Sequence, residues 1–266
     1  MSFSITDHTF AVCAYGDSPY LEECIESLLQ QVCSSNILIA TSTPSEYISD
    51  IAKRYNVPLF VNELSCGIAS DWNFAVEKAE TSIVTIAHQD DVYSPCYLEI
   101  VLEALNKLEK PLIAFTDYGE LRDGAFVRDD EILRVKRKLL SPLTSRFLAS
   151  TRFGKRFPIS LGNPICCPAV TYIKDNLPNP LFVDQGFRSN LDWGAWERFS
   201  RERGSFVYVP KIGMFHRIHE ESETSSCITD NVRVDEDLEM LKKFWPTSIA
   251  KIINHFYLKA QKSNQV

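Results

Sequence analysis

The first half of the chain alternates short apolar runs with amphipathic stretches. Thr9 to Tyr15 (TFAVCAY) is a β-prone run that stops at Gly16-Asp17-Ser18-Pro19, a turn and helix-start signal. Over Tyr20 to Gln31, Leu21, Ile25, Leu28 and Leu29 recur at helical spacing. Asn36 to Ala40 reads as a second strand, Pro44 to Tyr55 as a helix and Pro58 to Asn62 as a third strand. A loop at Gly67 leads into a helix over Ser70 to Glu80. Ser82 to Ala87 is a fourth strand that runs directly into His88-Gln89-Asp90-Asp91. Tyr97 to Leu108 completes the series as a helix, with Pro111 to Tyr118 as a fifth strand. The alternation predicts an α/β fold with a mostly parallel central sheet and helices on both faces. Ligands of such sheets gather outside the carboxyl ends of the strands, so loops 14–19, 41–45 and 88–94 are expected to share one rim.

The pattern weakens after Asp123. Ile132 to Phe153 reads as one basic amphipathic helix, Leu161 to Ile173 as a β-like return and Asn190 to Arg203 as a helix. Ser205 to Val209 reads as a strand, followed by Gly213 to His219. Val232 to Phe244 and Ser248 to Lys259 read as helices. These divisions suggest a main domain over 1–230, with a basic insert near 130–160, and a helical C-terminal extension over 231–266.

At 266 residues, 45% hydrophobic and 24% charged, the chain has the size and composition of a globular protein with a substantial core. The net charge of −7 argues against nucleic-acid binding through overall charge. No basic n-region precedes Asp17, so no secretory signal is expected. The apolar-leaning run Phe157 to Ile173 carries Pro158, Gly162, Asn163, Pro164 and Pro168, which do not suit a membrane-spanning helix. The eight cysteines, at 13, 24, 33, 66, 96, 166, 167 and 227, form no Cys-x-x-Cys and read as reduced thiols of a cytoplasmic protein.

Charge distribution changes this picture. From Ile132 to Lys174 there is no Asp or Glu, while Arg134, Lys136, Arg137, Lys138, Arg146, Arg152, Lys155, Arg156 and Lys174 all fall there. An acidic body thus carries a basic insert, which reads either as a solvated helix face or as a surface for anionic lipid or phosphate. Phe147, Leu148, Phe153 and Phe157 lie between the charges as apolar anchors.

The strongest candidate chemistry is the adjacent pair Asp90-Asp91 at the end of a buried strand. Two anions side by side are unfavourable unless a cation joins them, and hard oxygen ligands suit Mg²⁺ or Mn²⁺. A helix N-cap followed by a first-turn acid is the alternative reading. Cys166-Cys167, with Pro164, Ile165, Pro168, Ala169 and Val170 around it, has no cationic neighbour in sequence and reads as packing. Neither a G-x-G-x-x-G nor a Walker A loop is present.

Ala14-Tyr15-Gly16-Asp17-Ser18-Pro19-Tyr20-Leu21-Glu22-Glu23-Cys24-Ile25-Glu26-Ser27-Leu28-Leu29 resembles the opening of glycosyltransferase family 2. The likeness continues through Cys66-Gly67-Ile68-Ala69-Ser70-Asp71-Trp72-Asn73, His88-Gln89-Asp90-Asp91, Gly162-Asn163, Leu191-Asp192-Trp193 and Arg217-Ile218-His219. Each motif is weak alone, but the set, in order over residues 9 to 225, is specific. The resemblance implies a GT-A fold, Rossmann-like, and inverting transfer of a sugar from a nucleoside diphosphate, UDP favoured. It implies Asp192 as general base, and Asp91, Asp90 and His219 as metal ligands for Mn²⁺ or Mg²⁺, with His216 a weaker candidate. It also implies Ala14, Tyr15, Thr41, Asp71, Trp72, Asp90, Gly162, Asn163 and Arg217 as the nucleotide-sugar site. The acceptor implied is a glycan or polyprenyl-diphosphate-linked glycan at the inner face of the plasma membrane, reached through the basic 134–156 segment.

The sequence departs from the family pattern in places. Thr41-Ser42-Thr43-Pro44-Ser45 stands where an acidic contact to the base is common, and Asp71 is a candidate replacement carboxylate. His88 takes the place of the first Asp of Asp-x-Asp, and Leu191 that of the Glu of Glu-Asp. A non-catalytic nucleotide-sugar or glycan-binding module on the same shell is the alternative reading. A sugar-phosphate nucleotidyltransferase would need a basic Gly-rich loop after the first strand, which Gly16-Asp17-Ser18-Pro19 is not.

Overall fold

The computed structural model describes residues 2–65, 67–219 and 232–262. Cys66, Cys227 and the expected 230/231 domain boundary lie outside the described residues. The elements are β1 (His8–Ala14), α1 (Leu21–Leu29), β2 (Asn36–Thr41), α2 (Glu46–Arg54), β3 (Leu59–Val61), α3 (Ile68–Lys78), β4 (Ile83–His88), β5 (Val92–Tyr93) and α4 (Tyr97–Leu105). There follow β6 (Pro111–Arg122), β7 (Ala125–Val127), α5 (Glu131–Leu140), α6 (Arg146–Ser150), α7 (Arg152–Ile159), β8 (Val170–Ile173), α8 (Leu191–Phe199) and β9 (Ser205–Ile218). Two helices, α9 (Val232–Lys242) and α10 (Thr247–Lys262), come last.

The strands form one sheet in the order β3-β2-β1-β4-β8-β6-β9-β5, with β7 paired to β6. β3, β2, β1 and β4 run parallel. β8 is antiparallel to both β4 and β6, and β9 is parallel to β6. Alternation along β1 sends Ala11 to one core cluster and Phe10, Val12 and Ala14 to another. Both faces of the sheet are therefore covered, which is why β1 reads as a continuous apolar run. On α1 the apolar stripe Leu21, Cys24, Ile25 and Leu28 is buried. This mixed α/β sheet has the GT-A architecture.

Three departures from the expected elements have local causes. The basic stretch expected as one helix over 132–153 breaks into α5, a 3-10 turn containing Pro142, α6 and α7. Ser145 and Thr151 cap the new starts, accepting from the amides of Leu148 and Gly154. The return expected from Leu161 narrows to β8. The two strands expected around Pro210 are one, because β9 bulges there and continues its pairing with β6.

The C-terminal helices pack into the main body: Met240, Leu241 and Ala250 share a cluster with Trp193, Trp196 and Tyr172. Trp245 donates its indole N–H to the Ser160 carbonyl at 2.7 Å. No helix among the described residues is long and apolar enough to cross a membrane. Cys13, Cys24, Cys33, Cys96, Cys166 and Cys167 are free thiols.

Candidate active site

The parallel strands β1, β2 and β4 end at one rim, and side chains stitch their loops together. Gln89 accepts from the Tyr15 amide at 3.0 Å and donates to the Tyr15 carbonyl at 2.8 Å. Gly16 donates its amide to Thr43 Oγ1 at 2.7 Å, and Thr43 in turn bonds back to Thr41. Tyr15 stands 68% exposed on this rim, whereas Ala14 and Thr41 are buried beneath it. Asp71, on the first turn of α3, accepts from Ser42 Oγ and from Asn62 Nδ2, each at 2.8 Å. Its carboxylate therefore lies against the β2 and β3 ends, at the position where an acid is missing from the β2 loop. Asn62 was not singled out in the sequence; its place at a strand end was its only signal.

At the end of β4, ligand atoms of His88, Asp90 and Asp91 lie within 4.8 Å of one another. Strand pairing explains the arrangement. β5 begins directly after Asp91 and pairs Val92 with Phe215 of β9, which brings His216 and Arg217 onto Asp91. Asp91 Oδ1 accepts from His216 Nδ1 and from the Arg217 amide, both at 2.9 Å. Asp91 is fully buried, and its Oδ2 has no partner. His88 Nε2 is a second buried atom without one. Two unpartnered ligand atoms in one oxygen- and nitrogen-bearing cluster fit a divalent cation.

His219 Nε2 lies 3.0 Å from Asp90 Oδ2, beside this trio. Burial opposes ionisation of Asp90, but the His219 hydrogen bond and the charges of His88 and His216 outweigh it and hold the carboxyl at about 2. Burial likewise opposes a charged His216, yet Asp91 and Asp90 together hold it up to about 9. Arg217 is 8% exposed and turned inward, with its guanidinium on Glu23, on the Asp90 carbonyl and over the Tyr20 ring. Trp72 stacks on His88 with ring centroids 5.5 Å apart and meets Phe182 edge-on. Sequence reasoning treated His88 only as a departure and His216 as secondary. The cross-sheet pairing that joins them to Asp91 is invisible in a linear motif.

Asp192 opens α8 across from this cluster, within electrostatic reach of His88. Its Oδ2 accepts from Asn163 Nδ2 at 2.8 Å, and its Oδ1 from the Trp193 amide at 2.7 Å. Burial pushes the carboxyl up, against the opposing pull of those two bonds and of Arg233 and His88. Gly162 has φ +151°, and Tyr257 of α10 packs on it so closely that a Cβ would sit 2.6 Å from the ring. The Tyr257 hydroxyl also accepts from the Asn163 amide at 3.3 Å. Cys166 is half-buried. Contrary to the sequence expectation it does have a cationic neighbour, Lys136, but burial still pushes its thiol well above the ordinary range.

The sequence matches the family described as Glycosyl transferase family 2 over residues 9–171. A search of curated proteins finds no match. Among solved structures, residues 1–349 of S. aureus TarS in complex with UDP-GlcNAc align with TM-score 0.60 and 15% identity, over 97% of this chain and 73% of that one. Glucosyl-3-phosphoglycerate synthase from Mycobacterium tuberculosis, in complex with Mn²⁺ and UDP-glucose, aligns with TM-score 0.57 and 14% identity, over 89% and 79%. The same synthase in complex with Mg²⁺ and UDP aligns with TM-score 0.55 and 11% identity, over 89% and 80%. With the ordered motifs, the sheet and the carboxylate–histidine cluster in place, the chain belongs to glycosyltransferase family 2 and is a glycosyltransferase.

Proposed function

We propose that the protein transfers a hexosyl or N-acetylhexosaminyl group from a UDP-sugar to a hydroxyl of a glycan or polyprenyl-diphosphate-linked glycan, with inversion. The observation that carries this reading is the cluster of His88, Asp90 and Asp91 with its two buried, unpartnered ligand atoms, within electrostatic reach of Asp192. His88, Asp90 and Asp91 would hold Mn²⁺ or Mg²⁺, with His216 and His219 behind them. Such a cation neutralises charge on a departing diphosphate. Tyr15 and Asp71 bind the nucleoside above a buried Thr41: Tyr15 offers an exposed ring, and Asp71 accepts hydrogen bonds at the strand ends. Arg217 acts from below, tying the Asp90 backbone to Glu23.

Asp192 removes the proton of the acceptor hydroxyl as that oxygen bonds to the anomeric carbon. The bond from that carbon to the diphosphate oxygen breaks on the opposite side, and the proton stays on Asp192. Burial suits this role, since a carboxyl raised from its usual range holds a proton better at the end of the step. Asn163 fixes the carboxylate's orientation.

We also propose that α6 and α7 contact an anionic membrane at the cytoplasmic face. Phe147 and Phe153 are 74% and 72% exposed, with Arg146 and Arg152 exposed beside them. Apolar rings between cations suit a headgroup layer. Failure of the protein to float with phosphatidylglycerol vesicles, or flotation unchanged in Phe147→Glu/Phe153→Glu, refutes this contact.

Calorimetric titration with UDP-, GDP- and TDP-sugars, with and without Mn²⁺, tests the enzymatic reading. Metal-dependent binding of one UDP-sugar, lost in Asp91→Asn, is expected. Absence of any nucleotide binding would favour the non-catalytic module instead.

A further inference from the structure

Asp192 sits on the first turn of α8, and α8 makes no side-chain cap of its own. Asn190 stands at the N-cap, where an asparagine commonly accepts from a first-turn amide, but it makes no such bond. Its Nδ2 donates instead to Asp237 of α9 at 2.8 Å. The neighbouring Glu236 takes hold of the segment ahead of α8. One of its carboxylate oxygens accepts from the Arg188 amide at 2.6 Å. The other accepts from the Ser189 amide at 2.8 Å, from Ser189 Oγ at 2.7 Å and from the Asn190 amide at 3.2 Å. Glu236, Asp237 and Asn190 are all buried.

Burying a carboxylate is costly unless hydrogen bonds replace its hydration, and charge-assisted bonds are the strong ones. Here three consecutive amides and a hydroxyl replace it, which fixes the backbone of 188–190 directly before the helix that carries Asp192. The Asp192 side chain has a second anchor from the same end of the chain. Asn163 Nδ2 holds Asp192 Oδ2, and Tyr257 of α10 holds Asn163 in turn, by its hydroxyl on the amide and its ring against Gly162. The two helices are also tied to each other, Asn254 Nδ2 donating to the Val234 carbonyl at 3.4 Å. Both the backbone and the carboxylate of Asp192 are thus located by the C-terminal helices.

We infer that Glu236 and Tyr257 are positioning residues for Asp192, so that the C-terminal helices set the place and orientation of its carboxylate at the reacting centre. The inference rests on Asp192 being the base. Glu236 acts through the backbone of 188–190, and Tyr257 acts through Asn163. A general base works only within hydrogen-bond reach of the proton it takes. Displacement at the start of α8 is therefore felt in the chemical step and not in donor binding.

The test uses the full chain with Mn²⁺, UDP-glucose and UDP-N-acetylglucosamine as probes, and water as the acceptor. A water oxygen bonds to the anomeric carbon, one of its protons passes to Asp192, and the bond to the diphosphate oxygen breaks; the UDP released is measured. Glu236→Ala is expected to lower kcat by roughly 10- to 100-fold with KM for the UDP-sugar unchanged. Glu236→Gln, which keeps one accepting oxygen, should recover part of that loss. Tyr257→Phe keeps the ring on Gly162 and is expected to lower kcat by roughly threefold. A second measurement needs no turnover, and it decides alone where water proves too poor an acceptor. The ¹³C carboxyl resonance of Asp192, identified by its loss in Asp192→Asn, should be displaced in Glu236→Gln and Tyr257→Phe, while that of the exposed Asp50 is not. Variants that only melt earlier, with kcat of the folded protein and the Asp192 resonance both as in the wild type, overturn the inference. Asp192→Asn releasing UDP as fast as the wild type brings down the base assignment itself, and the inference with it.

Discussion

Asp91→Asn isolates the electrostatics of the buried cluster. Asn is nearly isosteric, and its oxygen can still accept from the Arg217 amide, so the change removes charge rather than shape. In chelator, that charge acts mainly on His216, which is 2.9 Å away and held at about 9 against an ordinary 6.5. A histidine raised on folding contributes stability that is complete below pH 6.5 and is lost as pH rises through about 9. At about 1.4 kcal/mol per pKa unit, the contribution is on the order of 3 kcal/mol at pH 6 and near zero at pH 9.5. The side chain of His216 is only 21% exposed, so solvent screening leaves most of it. Urea unfolding in EDTA should show a wild-type advantage over Asp91→Asn that shrinks from pH 6 to pH 9.5 by a large part of that amount, Asp90 still acting on the histidine in the variant. The shrinkage should vanish in a His216→Gln background. A difference independent of pH would refute the reasoning and reduce Asp91 to a packing role.

Three other outcomes are expected. Asp192→Asn should lower turnover by about 10²–10⁴-fold while leaving UDP affinity intact, read by product formation and calorimetry. Gly162→Ala adds a Cβ 2.6 Å from the Tyr257 ring at φ +151° and should cost about 1–3 kcal/mol in urea unfolding, less in a Tyr257→Ala background. His8 is buried between Ser35 and Thr85 hydroxyls, and burial lowers its pKa to about 3. Its unfolded form takes up a proton below pH 6.5 that the folded form refuses, so stability falls with pH from 6.5 toward 3. The loss is about 2 kcal/mol at pH 5, measurable as acid sensitivity absent from His8→Asn.

The parallel half of the fold was legible because β1, β2 and β4 are buried on both faces and the helices between them are amphipathic. The rim followed from topology, so Tyr15, Thr41 and the Asp90-Asp91 pair were in view as candidates. Pairing between distant strands was not legible. Nothing local marks Phe215 as the partner of Val92, and so nothing marked His216 as the partner of Asp91. Apolar periodicity alone ran α5, α6 and α7 together, although Pro142, Ser145 and Thr151 carried the breaks. Lys136 was counted as one charge in a basic run; only the fold turns it inward onto the Tyr118 hydroxyl while exposing Arg146 and Arg152.

The antiparallel strand β8, lodged between β4 and β6, also bears on synthesis. β4 finds its second neighbour only after about 80 further residues have been made, which at roughly 5–20 residues per second takes on the order of 4–16 s. Until then the growing chain presents an apolar strand edge beside the newly made His88–Asp91 segment. The middle third of translation, between the ends of β4 and β8, is thus the period in which this protein most needs shielding from its neighbours on the polysome.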